Sequence, residues 1–95
     1  LKIATFQTLH PDLAKTNKVI SIEKYEQIKE ALLVILAVLP LTHTELMEAL
    51  YQKVKDSFVG GVQWYGEVVK LDLEARKLIE RTNDKPQKYR LVSKI

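Results

Sequence analysis

Residues 64–92 read WYGEVVKLDLEARKLIERTNDKPQKYRLV. Apolar residues recur at helical spacing through the first half, and the second half is a short strand, a turn and another strand. The spacing predicts a helix over residues 62–77. On a helical wheel of about 100° per residue, Trp64, Val68, Leu71, Ala75 and Leu78 form one apolar stripe, with Val62, Tyr65, Val69 and Leu73 beside it. Gln63, Glu67, Lys70, Glu74 and Lys77 fill the remaining arc. Trp64 is therefore expected to be substantially buried against the first helix. Asp72 and Arg76 fall inside the apolar sector, four residues apart, which predicts a partly buried ion pair shared with the N-terminal arm or the first helix. Strands are expected over residues 78–82 and 87–92, joined by Asn83-Asp84-Lys85-Pro86, with Tyr89 and Leu91 on one face and Lys88 and Arg90 on the other.

Two more helices precede this stretch. Ser21 is placed to cap the first, with Ile20 and Tyr25 as a hydrophobic staple. Tyr25, Ile28, Leu32, Ile35, Leu36 and Leu39 recur at helical spacing, predicting a helix over residues 22–39 that Pro40 stops. From Ala31 onward it is apolar on every face and is expected to be buried all round. Thr42 and Glu45 form a capping box, stapled by Leu41 and Leu46, for a helix reaching about Lys55. Gly60-Gly61 lacks the Lys-Ser/Thr of a nucleotide loop and reads as a turn. Residues 1–20 show no helical period. Residues 2–9 alternate like a short strand, turns follow at His10-Pro11-Asp12 and Thr16-Asn17, and residues 18–20 read as a second strand.

Charge is unevenly spread. Residues 1–75 carry eight basic and ten acidic side chains, and residues 76–95 carry seven basic and two acidic. A basic pole on a near-neutral body is a footprint for an anionic partner, and it is equally the way a hairpin blunts its edge with solvated charge. With no cysteine there is no disulfide framework and no thiolate metal site, which fits a cytoplasmic protein. The longest apolar run, residues 31–41, is far short of the roughly 20 residues of a membrane span, and no leader pattern opens the sequence. His10 and His43 have no ligand or catalytic partner at motif spacing. No metal, no cofactor and no enzymatic activity are expected.

Three helices followed by a basic hairpin make an α+β chain, a winged helix-turn-helix domain over residues 21–95 with an N-terminal arm over residues 1–20. The pattern W-Y-x3-V-x-L-D-L-E-A-R-x2-I-E-R, at residues 64–81, resembles a family of small bacterial winged-helix proteins of unknown function. The K-Y-E at residues 24–26 and L-T-H-T-E-L at residues 41–46 sit where that family places its first helix and second-helix cap. Many winged-helix regulators carry glycine where this chain has Lys77, so the turn out of the third helix is expected to differ. The resemblance implies transcription regulation by analogy only. On that reading double-stranded DNA is the partner, with Gln63, Tyr65 and Lys70 at the groove and Arg81, Lys85, Lys88 and Arg90 on phosphates. The neutral outer arc of the third helix speaks against it. The alternative is a winged-helix protein–protein interaction module, and a homodimer is compatible with either.

Overall fold

The two residues after Pro40 do more than lead into a helix. In the computed structural model, which describes residues 4–92, they form a strand that joins the C-terminal hairpin. The order is β1 (Thr5–Gln7), β2 (Val19–Ser21), α1 (Ile22–Leu36), β3 (Leu41–Thr42), α2 (His43–Val54), α3 (Val62–Ala75), β4 (Ile79–Arg81) and β5 (Lys88–Leu91). β1 and β2 pair antiparallel, and β5 lies between β3 and β4 in a second antiparallel sheet. Leu41 sits opposite Tyr89, and Arg81 faces the same tyrosine from the other side. This α+β arrangement of three helices and small antiparallel sheets is compatible with the order expected from the sequence. Among the described residues no helix is long and apolar enough to cross a membrane.

Local chemistry accounts for the helix ends. The capping box is formed: Glu45 N donates to Thr42 Oγ1, and Thr42 N donates to Glu45 Oε1. The bond from the Thr42 backbone, and then the Thr42 hydroxyl, hold the Glu45 carboxyl below its ordinary range. Ser21 occupies the cap position of α1 without a side-chain bond. Helix α1 stops at Leu36, three residues before the expected end. Pro40 disfavours helical backbone at Leu39, and the chain must leave the helix axis in time to set Leu41 beside Tyr89. The stretch from Ala31 onward is not buried all round: Val34 on α1, and Val38 and Leu39 just past it, face solvent while Ala31, Leu32 and Leu36 are enclosed. Two other helices and a small sheet cannot cover every face of the first.

The core is built from Tyr25, Ile28 and Leu32 of α1, Leu46, Leu50 and Val54 of α2, and Val62, Val69 and Leu73 of α3, closed by Ile79 and Tyr89. Of the two apolar stripes on α3, the one through Val62, Val69 and Leu73 faces this core. Gly66 lies on that side, and a Cβ there would stand 2.6 Å from Leu50 Cδ2, so the glycine sets how closely α2 and α3 approach. Of the other stripe, Val68 also joins the core, and the rest is covered only in part. Asn17 Nδ2 donates to Val68 O, and Leu9 N donates to Asp72 Oδ1, but these contacts stop short of the first turn of α3. Trp64 is therefore 49% exposed, against the expectation of burial.

Asp72 is fully buried and joins three parts of the chain. Its carboxylate accepts from Leu9 N of the arm at 2.8 Å, from Tyr25 Oη of α1 at 2.5 Å, and from Arg76 Nε one turn along α3 at 2.9 Å. The pair expected with Arg76 is present, and both the arm and α1 share it. Phe6 stacks on the Tyr25 ring at 4.2 Å between centroids and lies under the Arg76 guanidinium at 4.9 Å. Burial, and then the bond to Asp72, push the Tyr25 hydroxyl well above its usual range.

Helix α3 ends in a Schellman turn: Leu78 N donates to Leu73 O, and Lys77 N donates to Glu74 O. Lys77 takes φ 65°, the left-handed conformation that glycine adopts most easily. The turn thus keeps the usual geometry with an unusual residue, which side-chain sterics make unfavourable by roughly 1–2 kcal/mol.

Stability measurements on three variants test this account. Asp72→Ala leaves buried donors at Tyr25 and Leu9 and should cost about 3–5 kcal/mol in denaturant melts. Arg76→Ala, which removes a partly exposed partner, should cost about 1.5–3 kcal/mol. Equal, small losses would show that the carboxylate does not hold the arm. Lys77→Gly should raise stability by about 1 kcal/mol; a loss would mean that the turn draws on the lysine side chain.

Candidate nucleic-acid interface

The surface that the sequence assigns to DNA consists of the outward side of α3 and the β4–β5 hairpin. The core contacts of Val62, Val69 and Leu73 decide which residues of α3 point away from the core. Gln63, Trp64 and Glu67 are exposed there. Gln63 shares a shallow depression with His43, Glu48 and Tyr51 of α2. Tyr65 is half-buried and turned sideways: its ring meets Phe58 edge-on at 5.1 Å, lies against Trp64 at 4.8 Å, and has Lys24 Nζ 5.1 Å from its centroid. It contributes to packing of the α2–α3 connection.

Lys70 is not on the outer arc. It is only 5% exposed, with Nζ 2.9 Å from His43 Nδ1 and 3.1 Å from Tyr89 Oη, 4.2 Å above the Tyr89 ring. The wheel placed Lys70 beside Gln63 and Glu67, but the hairpin folds over that part of the helix and encloses the ammonium against an aromatic face. His43, expected at the surface, is half-buried by the same contact. Its pKa lies below the ordinary histidine value, first because of burial, then because of the Lys70 charge, with Glu67 acting in the opposite sense. Neutral His43 accepts from the ammonium at Nδ1, which sets the tautomer with its proton on Nε2.

The hairpin arginines are held by glutamates. Arg81 Nε stands 2.7 Å from Glu74 Oε2, and Arg90 Nε 2.7 Å from Glu80 Oε2. The bond to Glu74 raises the Arg81 pKa further above its already high value. Lys85 is exposed at the turn and Lys88 is half-buried on β5. Neither makes an ion pair among the described residues. Of the seven residues expected to contact DNA, Gln63, Lys85 and Lys88 make no side-chain hydrogen bond or ion pair among the described residues. The fold encloses Lys70, packs Tyr65 sideways, and pairs Arg81 and Arg90 with acids.

Sequence reasoning missed the cluster of His43, Lys70 and Tyr89. Its members are 27 and 19 residues apart, and no local pattern signals their meeting. The pairing of Glu74 with Arg81 was equally hidden, because it joins a helix to a strand seven residues on. Among the described residues no three side chains converge as metal ligands.

A family model described as "Family of unknown function (DUF6958)" matches residues 5–89. The chain belongs to that family. No curated protein and no solved structure matches it. The matched span runs from the first residue of β1 into β5, so the arm from Thr5 onward, the Asp72 network and the cluster around Lys70 lie within it.

The His43 contact has a pH consequence. The folded state holds His43 below the ordinary value of 6.5, so the unfolded chain takes up the proton first, and stability should fall as pH drops through 6.5. Protonation places a second positive charge 2.9 Å from Lys70 Nζ. His43→Asn, whose Oδ1 can replace the Nδ1 acceptor, should show a shallower decline in melting temperature between pH 7 and 5. Parallel profiles would mean that His43 is indifferent to Lys70.

Proposed function

We propose that this protein is a winged-helix interaction module, with α3 as the presenting helix and the β4–β5 hairpin as the wing, and that its outer face receives another protein. One observation carries the reading: the lone tryptophan of the chain lies half open on α3, while the arginines that would grip phosphates are occupied by glutamates. Tyr51 on α2 is likewise half exposed. It shares with Gln63 the depression that includes His43 and Glu48. Aromatic side chains at a solvent-facing depression are the usual anchors of protein interfaces. Glu67 and Glu48 on the same face would oppose a phosphate backbone.

The DNA-binding reading, in which a regulator sets its wing on phosphates and α3 in the groove, keeps one specific support: Lys85 and Lys88 on the hairpin make no ion pair among the described residues. The two readings differ in salt dependence. Each phosphate contact adds a slope of roughly −0.9 in log affinity against log salt. Two lysines therefore allow at most about −2, whereas four engaged hairpin cations would give −3 or steeper.

Titration of duplex DNA from about 50 mM salt upward should give weak binding with a slope no steeper than −2. A photo-crosslinking residue in place of Gln63, used in cells, should yield adducts removed by protease and unaffected by nuclease. Nuclease-sensitive adducts together with a slope of −3 or steeper would overturn the protein reading in favour of DNA.

A further inference from the structure

The loop between β1 and β2 and the C-terminal end of α3 enclose a cavity of about 560 Å³, open to solvent. It lies at the opposite end of α3 from Trp64, roughly 16 Å along the axis at 1.5 Å per residue. Leu9, Leu13 and Ala75 form its apolar walls. Leu13 is fully exposed and Leu9 is 42% exposed, so two leucines stand at solvent around a concavity. The charged or ionisable groups lining it are His10, Lys15 and Lys77, and among the described residues no carboxylate lines it.

Two of the neighbouring acids are engaged elsewhere. Asp72 holds Leu9 N, Tyr25 and Arg76, and Glu74 holds Arg81. Asp12, exposed in the loop, accepts from Ala14 N and does not line the cavity. The Leu9 side of the cavity is also set in advance. Leu9 is tied to α3 through Asp72, and Asn17 Nδ2 donates to both Leu9 O and Val68 O. The volume lies in the range of roughly 300–1,000 Å³ typical of small-molecule sites. Apolar walls with cations and no anion complement one ligand chemistry.

We propose that this cavity binds a small soluble amphiphile with one anionic head, a medium-chain or arylalkyl carboxylate, whose apolar body lies on Leu9, Leu13 and Ala75 and whose head meets Lys15 and Lys77. The site is separate from the proposed interface at Trp64.

The test is titration of octanoate into the full chain, followed by backbone amide NMR, with octan-1-ol as the neutral counterpart. Octanoate should shift the amides of Leu9, Leu13 and Ala75, leave that of Trp64 in place, and bind more tightly than the alcohol. Replacing both lysines, as Lys15→Gln with Lys77→Gly, should weaken octanoate roughly tenfold and leave the alcohol unchanged. Lys77→Gly suits the left-handed backbone there, and Lys15→Gln alone, in an exposed loop, should still weaken octanoate roughly threefold. The proposal is overturned if the shifts are absent or lie elsewhere, if the alcohol binds as well as the acid, or if the lysine changes leave octanoate affinity intact.

Discussion

One buried carboxylate organises this protein. Asp72 sits on α3 with no exposed surface, where an unpaired charge would be strongly unfavourable. It is tolerable because three donors from three parts of the chain converge on it: an arm backbone amide, a hydroxyl from α1, and a guanidinium one turn along its own helix. The dependence runs in both directions. Without the arm one lone pair goes unmet, and without Asp72 the arm loses a directional anchor to α3. Phe6 adds an aromatic layer between Tyr25 and Arg76. The arm is thereby bound into the helical core.

That attachment shapes the surface of α3. The arm is tied to the helix at Val68 and Asp72, so the first turn stays open and Trp64 stays half exposed. The hairpin covers the other flank and encloses Lys70 between His43 and Tyr89. Between the two, the first turns of α3 present Gln63, Trp64 and Glu67 to solvent. Charge is managed in the same way: Glu74 and Glu80 pair with the hairpin arginines, while Lys85 and Lys88 make no ion pair among the described residues. A net charge read from sequence counts these arginines as available, whereas a short charge-assisted bond to a neighbouring carboxylate removes most of their field at a distance.

Much of the fold was legible in the residues. The capping box at Thr42 and Glu45, the stop near Pro40, and the hairpin around residues 83–86 follow from local backbone chemistry and appear as expected. So does the pairing of Asp72 with Arg76, because a four-residue spacing within an apolar sector leaves few alternatives. The two-residue strand at Leu41 was not legible, since its only reason is its partner at Tyr89. The Schellman turn at Lys77 shows that tertiary packing can hold a left-handed residue where local preference favours glycine.

The sequence by itself determined where helices begin, which positions are apolar, and that a charged pair lies inside α3. These depend on neighbours within about four residues, where geometry is set by the backbone. The tertiary structure alone decided which of two adjacent apolar stripes on α3 faces the core. It decided that Trp64 is open and Lys70 closed, and that the basic hairpin is largely neutralised. Such outcomes depend on how far the arm and the hairpin reach over the helix. That reach is fixed by contacts such as Leu9 with Asp72 and Lys70 with Tyr89, between residues 63 and 19 positions apart, and no local period records it.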